Sequence, residues 1–187
     1  MINQKLSNKY KKKIVNLIQE IDSEKINELA KLILKKKKNK KKIYIFGNGG
    51  SASTANHFAV DMTKNAKVNV DSFSNDDLIT CFSNDYGYEN WIANVLRYQA
   101  EKNDLAIFLS VSGNSLNLVN GIKYCKKNSI DTYSLTGRNN DNKLNKLSDN
   151  YFWINSKSYN QVEIVHHMFL LTIVDVIIGR DVYTTDI

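Results

Sequence analysis

Residues Ile43–Ser51 read IYIFGNGGS, an apolar run that stops at a turn of Gly, Asn and Ser and is followed by a helical segment. β-branched and aromatic residues in so short a run are typical of a buried strand. A helix that begins directly after such a turn leaves backbone N–H groups free at its N-terminus, and its dipole favours an anion there. This stretch therefore predicts a strand–turn–helix unit with a site for an anion, phosphate above all.

A second turn of the same kind occurs at Leu109–Ser115, LSVSGNS. Ser51 in the first turn, and Ser110, Ser112 and Ser115 in the second, add hydroxyl donors without the positive charge of a lysine. The first turn is neither a Walker A loop nor GxGxxG, so no nucleotide is expected. One Gly-rich turn is common in α/β proteins, but two predict a phosphorylated small molecule at the carboxyl end of a parallel sheet.

The rest of the chain alternates between strand and helix patterns. Strands are expected at 42–46, 69–73, 105–110, 131–136 and 151–155, and helices at 51–64, from 76, 89–101, 116–128, 142–147 and 159–179. This alternation predicts a parallel sheet with helices on both faces. Two amphipathic helices, 2–21 and from 23, form a hairpin over 1–40 that precedes the core, 41–187, of a single domain. Their apolar stripe predicts packing against a second copy of the chain.

Composition excludes several classes of protein. The hydrophobic fraction of 42% is typical of a globular chain. No run of about 18 apolar residues predicts a membrane span, and the basic N-terminus lacks the apolar segment of a signal peptide. Cys81 and Cys125 have no CxxC spacing, so we expect both to be buried, reduced thiols of a cytoplasmic protein.

The net charge of +7 comes largely from lysines at 35–38 and 40–42. Arginine is the residue that reads bases and binds phosphates bidentately, and the chain has only three arginines. We therefore expect a solvated lysine cluster, favourable at the end of a helix, and no nucleic-acid partner.

The three histidines lie close to acids on two helices. His57 and Asp61 are four residues apart, as are Glu163 and His167, so each pair shares a helix face. Nitrogen and oxygen ligands of this kind suit Zn²⁺, and the tentative set is His57, Asp61, Glu163 and the neighbouring His166. Ion pairs and hydrogen bonds on helix surfaces explain the same spacing.

Three further polar residues are candidates for ligand contact, namely Asn84, Asp85 and Asn48. Asn84 and Asp85 are followed by Gly87, which is typical of a turn, so we expect them in a loop. Asn48 lies inside the first turn, where its amide can both donate to and accept from sugar hydroxyls.

The segments GNGGSASTANHFAVDM, SNDYGYEN, LSVSGNS, SLTG and VEIVH occur in the order found in sugar isomerase (SIS) domain proteins. The sequence resembles the phosphoheptose isomerases most, over nearly the whole chain. These enzymes interconvert sedoheptulose 7-phosphate and a manno-heptose 7-phosphate. The resemblance implies a flavodoxin-like, three-layer α/β/α fold with a five-stranded parallel sheet. It also implies a homotetramer held by a helical bundle, with active sites between subunits.

The resemblance also implies roles for individual residues. The four serines would hold the phosphate, with Val111 in place of a hydroxyl residue often found between Ser110 and Ser112. The sugar would be bound by the first turn and by two further residues, namely Asn48, Gly49, Gly50, Asn84 and Asp85. His57 and the acid at position 61 would face the reacting carbons, with a zinc ion in some members.

Besides Val111, three positions depart from that pattern, namely Asp61, Glu163 and Leu171. Asp61 stands where a Glu is expected as the proton-transferring base, and its carboxylate is set back by about 1.5 Å. The last-helix pattern of Gln, His and His corresponds here to Glu163, His166 and Leu171, and leucine neither transfers protons nor binds metal. His167, one helical turn from Glu163, could substitute for the missing imidazole.

The resemblance implies a phosphosugar isomerase that converts sedoheptulose 7-phosphate to D-glycero-D-manno-heptose 7-phosphate for surface polysaccharide, or a close relative that acts on another ketose phosphate. Asp61 would be the general base, His57 the electrophile or metal ligand, and Glu163 with His166 or His167 the opposite partner. The alternative is a non-catalytic SIS module that binds a phosphosugar or a protein, as in the replication-initiator-associating type. A deaminase or lyase acting on an amino sugar phosphate has no support in the sequence.

Overall fold

The computed structural model describes residues 4–182, and its centre is a sheet of five parallel strands. The strand order is β2-β1-β3-β4-β5. The strands are β1 (Ile43–Phe46), β2 (Val70–Asp71), β3 (Leu105–Ser110), β4 (Asp131–Thr136) and β5 (Asn150–Trp153). The predicted flavodoxin-like arrangement with a five-stranded parallel sheet is confirmed.

The helices are α1 (Gln4–Gln19), α2 (Ser23–Lys38), α3 (Gly50–Lys64), α4 (Asp76–Tyr86), α5 (Trp91–Gln99), α6 (Leu116–Lys127), α7 (Lys143–Leu147) and α8 (Tyr159–Ile178). They occupy the positions that the periodicity predicted. Strand β2 is shorter than the predicted 69–73. The Asp71 carboxylate accepts a hydrogen bond from the Phe73 N–H at 2.9 Å, and Phe73 has a φ of 46°, so the chain leaves the sheet there.

Strand β1 separates two hydrophobic layers. Ile43 and Ile45 pack with α2, α3 and α8 on one face, whereas Tyr44 and Phe46 pack with α5 and α6 on the other. All four residues are buried. A strand that is covered on both faces reads as a continuous apolar run, which is why IYIF was recognisable as a strand.

The sheet order places the two Gly-rich turns side by side. From β1 the chain crosses through α3 to β2 on one side, and β3 lies on the other side of β1. Phe46, the last residue of β1, is opposite Phe108 of β3. Ligands of such sheets bind in the crevice at this reversal of strand order, outside the carboxyl ends of the strands.

The N-terminal hairpin is packed on one side only. Helix α2 buries Leu29 and Ile33 against the core that contains α8, whereas no residue of α1 is buried in the described chain. The sequence predicted a solvated lysine cluster, and this prediction is wrong for one of its lysines. Lys36 is buried, and its Nζ lies 2.6 Å from Asp131 Oδ2 and 2.6 Å from the Asn103 carbonyl oxygen, which fastens α2 to the base of the sheet.

The prediction that both cysteines are buried is confirmed for Cys125 and wrong for Cys81. Cys125 is buried in α6, and burial raises the pKa of its thiol to about 12. Cys81 is exposed, because α4 contributes no buried residue in the part of the chain that the structure describes.

By length and composition alone, α8 is apolar enough to cross a membrane. Its buried residues include Val165, Phe169, Leu170 and Ile173, which pack in the layer shared with α2 and α3. These residues make one side of α8 part of the hydrophobic core.

Candidate active site

The four serines line one small cavity at the carboxyl ends of β1 and β3. We call it the serine pocket; it has a volume of about 90 Å³ and is lined by Asn48, Ser51, Ser110, Val111, Ser112, Ser115 and Glu163, among others. The Ser110 hydroxyl lies 3.4 Å from that of Ser112 and 3.2 Å from that of Ser115. Helices α3 and α6 begin beside it, so two helix N-termini contribute to the same pocket.

The serine pocket suits an anion that is held by neutral donors. Of the described residues that line it, none is a lysine or an arginine. Backbone N–H groups at the two helix starts, together with the hydroxyls, are the groups that bind phosphate in such turns. The sequence had predicted these residues, and the structure brings them together.

Gly50 allows the Glu163 carboxylate to lie directly on the first turn. A Cβ at Gly50 would lie 2.5 Å from Glu163 Oε2, closer than any real side chain allows. Helix α8 therefore packs its acid against the N-terminus of α3, where the dipole favours a negative charge. A larger residue at position 50 would displace the Glu163 carboxylate from this place.

A hydrogen-bonded chain of four side chains connects α3 to α8. Thr54 Oγ1 lies 3.3 Å from His167 Nδ1, and His167 Nε2 lies 3.0 Å from His57 Nδ1. His57 Nε2 lies 3.2 Å from Asp61 Oδ2. One set of protons satisfies all three contacts: Thr54 donates to His167, His167 donates to His57, and His57 donates to the ionised Asp61.

The electrostatics of this chain keep His167 neutral at neutral pH. Burial lowers the pKa of His167 below its usual value and the neighbouring His57 lowers it further, while Asp61 raises it. A neutral imidazole can accept a proton from a reacting group and return it.

His167 and Glu163 face a second, larger cavity. We call it the histidine cavity; it has a volume of about 800 Å³ and is bounded by Tyr10 of α1 and by residues of α3 and α8, including Leu171. Glu163 lines both this cavity and the serine pocket. It is therefore an ionisable group that adjoins the serine pocket on one side and shares the histidine cavity with His167 on the other.

Asn84 and Asp85 are placed differently from the prediction. They lie in the last turn of α4 and not in a loop, because the helix continues to Tyr86 before Gly87 ends it. Both side chains are exposed, and the Asn84 amide donates to the Asp85 carboxylate at 3.0 Å. Neither is among the described residues that line the serine pocket or the histidine cavity.

His166 is separated from the other histidines. It is buried against the sheet, with Nε2 3.3 Å from the Thr136 carbonyl oxygen and its ring near Phe152. Burial lowers its pKa to about 4. The structure does not bring His166 together with His57 and Asp61 as the tentative metal set required.

The remaining candidates do not fit a zinc site as they are arranged. The nitrogens of His57 are directed at His167 and Asp61 instead of sharing one point with them. Among residues 4–182, no group of three or more His, Cys, Asp or Glu side chains is disposed to hold a metal ion. Zinc sites need three or four such ligands around one centre.

Sequence comparisons place these features in a family. A family model of the SIS domain matches residues 9–137. The phosphoheptose isomerase of Aliarcobacter butzleri strain RM4018 is 32% identical over 171 residues, which cover 88% of both chains. The chain belongs to the phosphoheptose isomerase family of SIS-domain proteins.

Other members of the phosphoheptose isomerase family agree with this assignment. One from Helicobacter pylori strain ATCC 700392 / 26695 is 34% identical over 160 residues, covering 82% of this chain and 83% of the relative. The structure of the phosphoheptose isomerase from Neisseria gonorrhoeae has a TM-score of 0.87 at 24% identity, covering 93% of this chain and 97% of that one. This structural similarity shows that the two proteins have the same fold.

Three residues of the site were not found from the sequence. Thr54 ends the hydrogen-bonded chain at His167, and Tyr88 and Asn117 both contact the Asn48 amide. Thr54 lies three residues after Ser51 on α3. This position close to the first turn was the only sequence signal for it. The partners of Asn48 come from 40 and 69 residues away, beyond any local pattern.

Proposed function

We propose that this protein is a phosphoheptose isomerase that converts sedoheptulose 7-phosphate to D-glycero-D-manno-heptose 7-phosphate, which supplies nucleotide-activated heptose for surface polysaccharide. Family membership supports an isomerase. The observation that carries the proposal for this site is Glu163, which lines both the serine pocket and the histidine cavity. A phosphosugar whose phosphate occupies the serine pocket therefore has its chain within reach of an acid and an imidazole.

In the proposed reaction, Glu163 and His167 are the catalytic residues. A base removes a proton from C1 of the ketose, the C1–H electrons form a C1=C2 double bond, and an acid protonates the carbonyl oxygen at C2. The enediol then loses the O1 proton and receives a proton at C2, which gives the aldose. Two protons are removed from the sugar and two are returned to it, so the side chains account for every proton without a further reactant.

Asp61 and His57 act through His167 in this proposal. Asp61 was predicted as the base, but its side chain is only 21% exposed and points at His57, which in turn contacts His167. Its charge stabilises a proton on the pair of imidazoles, as the buried aspartate does in a Ser-His-Asp triad. We therefore propose Asp61 and His57 as positioning residues.

The test is an isomerase assay, with NMR detection of the aldose, on wild type, Glu163→Ala and His167→Gln; alanine is used at 163 because the family pattern has glutamine there. We expect both variants to lose at least a hundredfold in kcat, because each removes a group that exchanges protons. Glu101→Ala is the matched control, since that carboxylate is 77% exposed and pairs only loosely with Lys41 at 3.7 Å. Full activity in both site variants would contradict the proposed roles.

A non-catalytic phosphosugar-binding or protein-interaction module is the second candidate. Leu171 favours it, because this apolar residue lines the histidine cavity at the position where the family resemblance implies a catalytic histidine. Wild-type protein that binds sedoheptulose 7-phosphate but shows no turnover, with or without added zinc, would establish this candidate instead.

We further propose a homotetramer in the cytoplasm, without a nucleic-acid partner. Support for assembly comes from α1, where Val15 and Ile18 are exposed at 51% and 36%, and from Leu34 of α2 at 42%. These residues lie on the hairpin whose apolar stripe predicted a second copy. Light scattering that gives a monomer at micromolar concentration would contradict this proposal.

A further inference from the structure

The side-chain amide of Asn48 is bound by two residues from other parts of the chain. Tyr88 donates its hydroxyl to Asn48 Oδ1 at 3.0 Å, and Asn117 donates its Nδ2–H to the same oxygen at 2.8 Å. In return, Asn48 Nδ2 donates to Asn117 Oδ1 at 3.1 Å. The two amides thus form a reciprocal pair, with a phenol added on one side.

These contacts determine what Asn48 can offer to a ligand. An amide oxygen accepts two hydrogen bonds and an amide nitrogen donates two. Tyr88 and Asn117 together fill the acceptor capacity of Oδ1, and Asn117 uses one N–H of Nδ2. The described contacts therefore leave Asn48 with a single free N–H donor and no free acceptor.

The chain builds this arrangement around the serine pocket. Asn117 is buried in the first turn of α6, two residues after Ser115. Gly87 ends α4 with a φ of 81°, a conformation that favours glycine, and the chain turns there so that Tyr88 reaches the first turn. Asn48 itself lines the serine pocket.

We propose that Asn117 and Tyr88 are positioning residues that fix the Asn48 amide as a donor toward an acceptor oxygen of the bound phosphosugar. The inference rests on the proposed function, since it assumes a phosphosugar in the serine pocket. It deepens that function by stating the chemistry at this point: a hydroxyl or carbonyl oxygen of the sugar is bound there, while the serines hold the phosphate. An ammonium group of an amino sugar finds no acceptor on Asn48.

The first test uses Tyr88→Phe, which removes one hydroxyl from an exposed side chain. Calorimetry with sedoheptulose 7-phosphate should give a Kd about threefold higher than that of wild type, as expected for one lost hydrogen bond of ordinary strength. The Kd for inorganic phosphate should not change, because the serines and helix termini hold that anion. Tyr98→Phe is the control, because Tyr98 is 60% exposed and its hydroxyl contacts that of Tyr86.

A double-mutant cycle separates positioning from direct contact. In an Asn48→Ala background, Tyr88→Phe should have no further effect on the Kd for the sugar phosphate, since Tyr88 then has nothing to orient. Asn117→Asp should weaken binding about tenfold, because a carboxylate cannot donate to Asn48 Oδ1 and repels it. Thermal melts of each variant show whether it is folded.

Three outcomes would overturn the inference. They are an unchanged Kd in Tyr88→Phe, an equal loss in Tyr98→Phe, and a full further loss when Tyr88→Phe is added to Asn48→Ala. All of these measurements are of binding, so they remain decisive if the protein shows no isomerase turnover, which would refute the proposed function alone.

Discussion

Acid should destabilise this fold through His166, a group that takes no part in the proposed reaction. Its ring is buried among Phe152, Thr136 and the sheet, and its pKa falls from 6.5 to about 4 because burial penalises the charged form. Below pH 6.5 the unfolded chain binds a proton at this position and the folded chain does not. Stability is therefore fully present above pH 6.5 and is lost as the pH falls toward 4.

The size of the effect follows from the two pKa values of His166. A histidine that titrates at 6.5 when unfolded and at about 4 when folded costs about 2 kcal/mol at pH 5 and about 3 kcal/mol at pH 4. This is a large part of the net stability of an ordinary domain. His167, whose pKa is also lowered, acts in the same direction, but it is only partly buried.

Urea unfolding at pH 7.5 and pH 5.0 measures this contribution when wild type is compared with His166→Gln. Glutamine keeps a donor for the Thr136 carbonyl oxygen but does not titrate. The variant should be less stable at pH 7.5, yet its loss between the two pH values should be about 2 kcal/mol smaller than that of wild type. Protein concentration must be equal in all samples, because an oligomer gains stability with concentration. Parallel losses in the two proteins would refute the reasoning.

Three further predictions concern the site itself. Sedoheptulose 7-phosphate should raise the melting temperature of wild type but not of Ser112→Ala/Ser115→Ala, and equal shifts with unphosphorylated sedoheptulose would contradict a phosphate pocket. Asp61→Asn should lower kcat by about two orders of magnitude with the Kd for the sugar phosphate unchanged, whereas Asp61→Glu, which keeps the carboxylate, should retain or raise kcat; loss of sugar binding in Asp61→Asn would contradict a role of Asp61 that is limited to the two imidazoles. EDTA should leave the isomerase rate unchanged, because His57 and His167 are hydrogen-bonded to each other. A loss of activity that added zinc reverses would show that the two histidines separate to bind metal.

The sheet and the serine pocket could be predicted because their signals are local. Ile43–Phe46 is covered on both faces, so a continuous apolar run marked it, and the turn that follows has the composition that a helix N-terminus requires. Ser110, Ser112 and Ser115 come together through the geometry of one turn. No long-range information was needed to place them.

The contacts between elements could not be predicted from spacing. His166 and His167 are adjacent, and neighbouring residues of a helix point about 100° apart. Spacing from Glu163 could not show which of them faces α3, and the structure shows that it is His167. The same limit applies to Asn84 and Asp85, since the sequence marked a turn at Gly87 but did not show that α4 would continue to it.

Two of the departures from the family pattern are related to one hydrogen-bonded chain, which contains Asp61 and passes through His167, one helical turn from Leu171. His167 and Leu171 lie one helical turn apart on α8 and both line the histidine cavity. In the proposed function, His167 takes the place of the imidazole that the family resemblance implies at 171, about 6 Å away along the same helix at 1.5 Å per residue and on the side nearer Glu163. There it contacts His57, and His57 contacts the shortened acid, Asp61, at 3.2 Å. An acid that is set back still reaches its partner because the partner is on its own helix, four residues away. A change that only removed function would leave His57 without a hydrogen-bond partner on α8. Here the shortened acid and the shifted histidine complete each other, and this mutual fit favours an active isomerase over a binding module.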